Sequence, residues 1–313
     1  MANRGTPPIV TVFGGGGFIG RYVCEALLKA GARVRVAERD PRKAFYLQPL
    51  GGVGQVSAVV ADLRKPSSID MAVQGADAVI NLVGVFGGDL DKVHVEGAAK
   101  AAAAARAAGA NAFLHVSAIG ADADSPSDYG RTKGLGEQAV RKAFPRATLI
   151  RPSTVFGPED EFTNRFASMA RFPVLPVVAP KTRFQPVFVR DLGRAIAAAA
   201  LDPKTHGGKT YELAGPEIMT MRDLNETVAR MAGHDPHLVD VPDFVAGGMS
   251  FFGFLPGAPL TRDQWIMLQH DNVVSGPNGL TAFGIEPVSL GAIGAEWLAR
   301  YREGGRFAKT KAA

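Results

Sequence analysis

Residues 12–23 read VFGGGGFIGRYV: four consecutive glycines follow a β-branched run and lead straight into an amphipathic helical pattern. Gly14, Gly17 and Gly20 give the spacing G-x-x-G-x-x-G, and Gly15, Gly17 and Gly20 also satisfy G-x-G-x-x-G. A strand, a turn free of side chains and a helix in immediate succession place backbone N–H groups at the positive end of a helix dipole. A diphosphate can approach them closely there. The spacing predicts a dinucleotide-binding turn, with Phe18 and Ile19 at the start of the helix as further lining residues. A phosphate-binding loop of the Walker A kind is excluded, because no Lys-Ser or Lys-Thr follows the glycines.

The rest of the first half fits that opening. β-branched runs at Ile9–Phe13, Arg33–Ala37, Val56–Ala61, Ala78–Val83, Ala112–Ser117 and Thr148–Arg151 alternate with helical patterns at Phe18–Ala30, Ser67–Gln74, Val93–Ala108 and Asp128–Phe144. This alternation predicts an α/β fold, a doubly wound parallel sheet with right-handed crossovers. After Arg151-Pro152, prolines punctuate shorter elements. The expected organisation is a dinucleotide-binding domain over 1–152, with 185–202 returning to its sheet as a strand and helix. A smaller C-terminal lobe takes 153–184 and 203–301, and 302–313 form a flexible basic tail. Thr220, with Asp223 at the capping-box position, and Thr261, with Asp263 in the first turn, are expected to open helices in that lobe.

Composition narrows the function classes. With 313 residues, 46% hydrophobic and 21% charged, the chain has enough apolar material for a core and is not an intrinsically disordered protein. Its net charge of +5 is dispersed, which argues against a nucleic-acid partner. A single cysteine, Cys24, permits no disulfide framework and no cysteine-rich metal site, and His234-Asp235-Pro236-His237 reads as a turn, so no metal is expected. No apolar run reaches the length of a membrane span, and residues 1–8 carry neither an apolar signal region nor an arginine-rich transit pattern. A cytoplasmic protein is the expectation.

At the tip of the second strand, Glu38-Arg39-Asp40 stands where dinucleotide folds recognise the adenosine ribose. A carboxylate there accepts a ribose hydroxyl and fits NAD(H), whereas a guanidinium clamps a 2′-phosphate and fits NADP(H). Arg39, reinforced by Arg42, Lys43 and Arg21, favours NADP(H), with NAD(H) as the alternative. Asp62 is placed either to touch the adenine or to hold a turn, and Leu63, Val83 and Gly84 complete the expected cofactor lining at the ends of strands 3 and 4. Strand 5 ends in Ser117, and Tyr129 and Lys133 follow at i, i+4 on one helix face. A phenol that moves a proton to or from a substrate oxygen, a serine that polarises it and an ammonium that lowers the phenol pKa and holds the nicotinamide ribose make a hydride-transfer set.

GGGGFIG, Asp62, Ser117, Tyr129-x-x-x-Lys133, Arg151-Pro152 and Phe156-Gly157-Pro158 together resemble an extended, atypical short-chain dehydrogenase/reductase, over essentially the whole chain. Three stretches, FGPEDEFTNRFASMARF (156–172), QPVFVRDL (185–192) and TRDQWIML (261–268), resemble the nucleotide-binding accessory subunit of respiratory complex I, the NADH:ubiquinone oxidoreductase. The resemblance implies a tightly held, mainly structural NADPH, no attributed turnover, complex I subunits as partners, and a peripheral position on the cytoplasmic face of the inner membrane. Extended members usually carry an asparagine before V-x-G where this chain has His94, a departure that bears on the proton relay. The alternative is a free-standing reductase, epimerase or dehydratase acting on a nucleotide sugar or small carbonyl compound. A non-catalytic nucleotide sensor is a third reading. The apolar stretch 244–256, rich in phenylalanine and glycine, reads either as a peripheral membrane or partner contact or as a lid packed on its own lobe.

Overall fold

A computed structural model describes residues 6–251 and 260–305, which form two compact units. The first comprises Met1–Pro152, Val189–Leu213 and Gly276–Glu286. Its elements are β1 (Ile9–Phe13), α1 (Phe18–Lys29), β2 (Arg33–Glu38), β3 (Val56–Val60), α2 (Pro66–Val73), β4 (Ala78–Asn81), α3 (Ala98–Ala107), β5 (Ala112–Val116), α4 (Asp128–Ala143), β6 (Thr148–Pro152), α5 (Val189–Leu201) and β7 (Thr210–Leu213). The seven strands form one parallel sheet in the order β7-β6-β5-β4-β1-β2-β3.

Chain order reverses between β1 and β4, the switch point at which doubly wound sheets bind ligands. The central strands are buried on both faces, which is why they read as continuous apolar runs instead of alternating ones. On one face Ile69, Ala98, Ala102, Ala105 and Val140 from α2, α3 and α4 pack with Phe13, Val79 and Phe113. α1 and α5 pack together and complete the unit.

Four features depart from the expected pattern. Pro41–Leu50 forms a 3₁₀ segment, opened by Asp40, whose side chain accepts the Arg42 amide. The helix expected over Val93–Ala108 begins instead with a π-helical turn, Asp91–Gly97, and becomes α-helical only at Ala98. The strand expected within 185–202 does not join the main sheet: Val187–Phe188 pairs with Val155–Phe156 in the second unit, and only the helix after it belongs to the first. The edge beside β6 is filled by β7, so residues 203–213 and 276–286, assigned above to the smaller lobe, belong to the first unit. Four residues satisfy that edge: Tyr211 and Leu213 turn inward and Thr210 outward.

The second unit comprises Ser153–Phe188, Ala214–Ser275 and Pro287–Ala313. Phe156, Phe184, Leu224, Val228 and Trp297 form its core. Thr220 and Asp223 close a reciprocal capping box, and the box at Thr261 is completed by Gln264. Of the apolar stretch 244–256, the part through Ser250 lies in the helix Asp243–Ser250, with Phe244 82% exposed, and residues 252–256 fall outside the described residues. Of the basic tail, 306–313 also fall outside them. Among the described residues no helix is long and apolar enough to cross a membrane, and no group of side chains could hold a metal ion.

Candidate functional site

The glycine turn lies at the switch point. Gly14 takes φ +78°, a left-handed conformation that places the following amides at the mouth of α1, and its N–H donates to the Ala37 carbonyl at 3.1 Å. A Cβ at Gly20 would stand 2.5 Å from the carbonyl oxygens of both Gly14 and Gly15, so only glycine lets the helix close down on the turn. Gly17 caps α1 with no side-chain hydrogen bond, which leaves the helix N-terminus to a ligand or water. Phe18 and Ile19, in the first turn of α1, are half-buried, and Phe18 meets Tyr22 edge to face.

At the tip of β2 the charges divide. Glu38 accepts the Gly16 N–H at 2.9 Å, so its carboxylate is tied to the glycine turn. Arg39 is exposed and enters no ion pair among the described residues. Arg42 makes a two-point pair with Asp40, at 2.8 Å for each bond, and Arg21 lies over the Tyr46 ring at 4.4 Å. Asp62 grips the Arg64 guanidinium and accepts the Arg64 amide, bonds that hold its carboxyl down to about 2. The aspartate therefore builds its own turn. Leu63 is buried in the core, whereas Val83 is half-buried and Gly84 exposed at the end of β4.

Ser117, Tyr129 and Lys133 converge beyond β5. Ser117 is buried, and its Oγ has no hydrogen-bond partner. Lys133 is buried too; its Nζ donates to the Val116 carbonyl at 3.0 Å and lies 5.8 Å from the centre of the Tyr129 ring. Burial lowers the Lys133 pKa to about 8, opposed by the charge of Glu137, and desolvation raises the Tyr129 phenol to about 12. The Tyr129 ring is stacked on Phe86, with centroids 4.7 Å apart and planes at 12°, and meets His94 edge-on at 5.5 Å.

Beneath this set runs a buried polar chain. His94 Nε2 accepts the Val85 N–H at 3.0 Å, so the hydrogen-bond pattern assigns its proton to Nδ1, 2.9 Å from the Thr132 hydroxyl. Thr132 passes its own proton to the Asp128 carbonyl at 2.8 Å. Asn81 Oδ1 takes the Val83 N–H, which turns its amide nitrogen toward His115 Nδ1 at 3.2 Å and leaves His115 Nε2 without a partner. Burial, followed by the Lys133 charge, holds both imidazoles neutral, with His94 at about 4.

These residues fit a bound dinucleotide. The uncapped helix with its side-chain-free turn fits the diphosphate. The orphaned Ser117 hydroxyl and an ammonium with one of its three N–H groups committed fit polar ligand atoms near the opposite end. Residues 10–214 match the model of the NAD dependent epimerase/dehydratase family, a span that holds the whole of this site. The chain belongs to that family.

Within this epimerase/dehydratase family the relatives differ in kind. NADH dehydrogenase [ubiquinone] 1 alpha subcomplex subunit 9, mitochondrial, of Mus musculus is 35% identical over 94% of this chain and 80% of its own length. The ceramide reductase of Caulobacter vibrioides is 34% identical over 75% of this chain and 74% of its own. Among solved structures, Citrobacter sp. triphenylmethane reductase complexed with NADP(H) superposes with a TM-score of 0.74 at 19% identity, over 93% of this chain and 99% of the other, which speaks for the fold alone.

Reading the sequence missed Val85, Phe86, Thr132 and His115. None carries a motif. Thr132 lies within the Tyr129-x-x-x-Lys133 spacing itself, whereas Val85 and Phe86, on the loop after β4, and His115, on β5, are brought near by the fold.

Proposed function

We propose that this protein is an NADP(H)-holding accessory subunit of a respiratory NADH:quinone oxidoreductase, peripheral on the cytoplasmic face of the membrane. The observation that carries the reading is the 35% identity to the subunit 9 proteins, which runs through both compact units and includes the regions outside the family model. The cofactor's role there is mainly structural. A ligand that binds only the folded chain stabilises it by about 4 kcal/mol when its free concentration is a thousand times Kd, enough to secure a docking module without turnover. Gly14, Gly15, Gly17 and Gly20 would frame the diphosphate, with Phe18 and Ile19 beside it. Arg39 would meet the 2′-phosphate, Val83 and Gly84 would flank the dinucleotide, and Lys133 would hold the nicotinamide ribose. The phosphorylated form is supported by Arg39, exposed and outside any ion pair among the described residues, beside a Glu38 that already gives one carboxylate oxygen to the Gly16 amide. Native mass spectrometry of the protein drawn from its own membranes tests the reading: NADP(H) and oxidoreductase subunits should be retained together. A chain that neither co-purifies nor co-migrates with that complex in gently solubilised membranes would refute it.

A second reading, a free-standing NAD(P)H-dependent carbonyl reductase, is favoured by the convergence of Ser117, Tyr129 and Lys133 and by the similarity to a ceramide reductase. A nicotinamide held here would supply the hydride that the carbonyl carbon receives. Ser117 Oγ hydrogen-bonds the carbonyl oxygen, and Tyr129, its phenol held protonated by burial and not acidified by Lys133, gives that oxygen its proton. Consumption of NADPH with a carbonyl panel, abolished in Tyr129→Phe, would establish this chemistry, and silence across the panel would discard it.

A further inference from the structure

The loop leaving β4 is apolar where it passes the phenol. Val83, Gly84, Val85 and Phe86 precede Gly87-Gly88, and the first charge after them, Asp89, is negative and paired with Lys92 at 3.3 Å. Phe86 is 74% exposed while one face of its ring is stacked on Tyr129. The ring's place is not left to the loop: the preceding residue, Val85, is pinned by its N–H to the buried His94. An apolar ring is thus held beside the phenol with its other side open to solvent, where covering it with apolar surface is favourable.

We infer that the Phe86–Tyr129 stack is a binding platform for an uncharged carbonyl compound with an apolar flank, and that Phe86 is its specificity-determining residue. The carbonyl oxygen meets Ser117 Oγ and the Tyr129 hydroxyl, and the apolar flank lies on Phe86. A sugar diphosphate needs cations or several donors. This side of the site offers Lys133, which is buried and bonded to Val116, and beyond it Lys92 and Arg131, each already paired with an acid, Asp89 for the lysine and Asp91 and Asp128 for the arginine. The inference rests on the dinucleotide site proposed above and not on turnover.

The test uses the full chain, with and without saturating NADP⁺, and ligand-observed NMR with benzylacetone and UDP-glucose as probes. Benzylacetone should bind, and UDP-glucose should not displace it. Phe86→Ala and Phe86→Gln should each weaken ketone binding about tenfold or more, the scale of losing an apolar contact in a pocket, while Phe86→Leu holds most of it. Phe86 is exposed, so unchanged melting temperatures in these variants show that the losses are local. Absent ketone binding, ketone affinity unchanged in both Phe86→Ala and Phe86→Gln, or displacement by UDP-glucose overturns the platform. NADPH consumption separates the two ideas. Binding without turnover rejects the reductase reading and leaves the platform standing. Turnover of another carbonyl with no dependence on Phe86 does the reverse.

Discussion

His94 accepts the Val85 amide on Nε2 at 3.0 Å, a bond that exists only while the imidazole is neutral. Burial and the nearby Lys133 charge keep it so, with a pKa of about 4 against an ordinary 6.5. Between those values the unfolded chain binds a proton that the folded chain refuses. Stability attributable to His94 is therefore complete above about 6.5 and lost as the pH falls toward 4, with a limit of about 3 kcal/mol. His115 acts in the same direction. We expect His94→Gln to reduce, not abolish, the rise of urea stability between pH 4 and 6.5. Identical slopes in the two proteins would show that His94 is not the titrating group.

Lys133 titrates in a different window. Its folded-state pKa of about 8 means that the ammonium discharges as the pH rises through 8, while the unfolded side chain keeps its proton to 10.5. Folding stability from this group therefore increases between 8 and 10.5. Cofactor affinity should move the other way if, as we propose, the ammonium donates to the ribose. NADPH binding measured by calorimetry is expected to weaken above pH 8 in the wild type. Lys133→Met should bind about tenfold or more weakly, the scale of a charged hydrogen bond, with little pH dependence of its own. A wild-type affinity flat from pH 7 to 9 contradicts this assignment.

What the sequence conveyed, and where it fell short, follows from which forces act locally. The central runs at Ile9–Phe13, Ala78–Asn81 and Ala112–Val116 were legible as strands because burial on both faces leaves nearly uninterrupted apolar stretches, and the turn at Gly14–Gly20 because Gly14 has a positive φ and Gly20 admits no Cβ. The π-helical turn at Asp91–Gly97 was not, since DKVHVEG carries an ordinary helical pattern. Its His94 is fixed by Val85 and Thr132 from elsewhere in the fold. Thr210–Leu213 is too short to announce itself and is ordered by the open edge of β6. At the site, spacing placed Tyr129 and Lys133 on one helix face. It could not show that Arg42 and Asp62 spend their charges on Asp40 and Arg64, contacts two residues away that any exposed loop can form.

Arg39 is the charge at the tip of β2 that such local pairing leaves available. If it meets the 2′-phosphate, Arg39→Ala should cost NADPH about 1–3 kcal/mol of binding and NADH much less, since only one of the two ligands carries that phosphate. Parallel titrations of both nucleotides into both proteins measure the difference. An equal loss for NADPH and NADH would assign Arg39 to the general field of the cleft and return the cofactor choice to NAD(H).

The ion pair beneath Lys133 offers the sharpest separation of structure from chemistry. Glu137 lies four residues beyond Lys133 on α4, nearly buried, and takes the Arg151 guanidinium at two points, 2.8 and 2.7 Å; Glu212 stands 3.7 Å away. Removing the arginine strands a buried carboxylate, so Arg151→Met should destabilise by about 3–5 kcal/mol, and adding Glu137→Gln should recover part of that loss. The same glutamate raises the Lys133 pKa against burial. Glu137→Gln alone should therefore shift the pH midpoint of NADPH binding below its wild-type position, even where melting shows the fold intact. A midpoint that stays put while stability drops would confine Glu137 to holding β6 against α4 and leave the lysine to be tuned by burial alone.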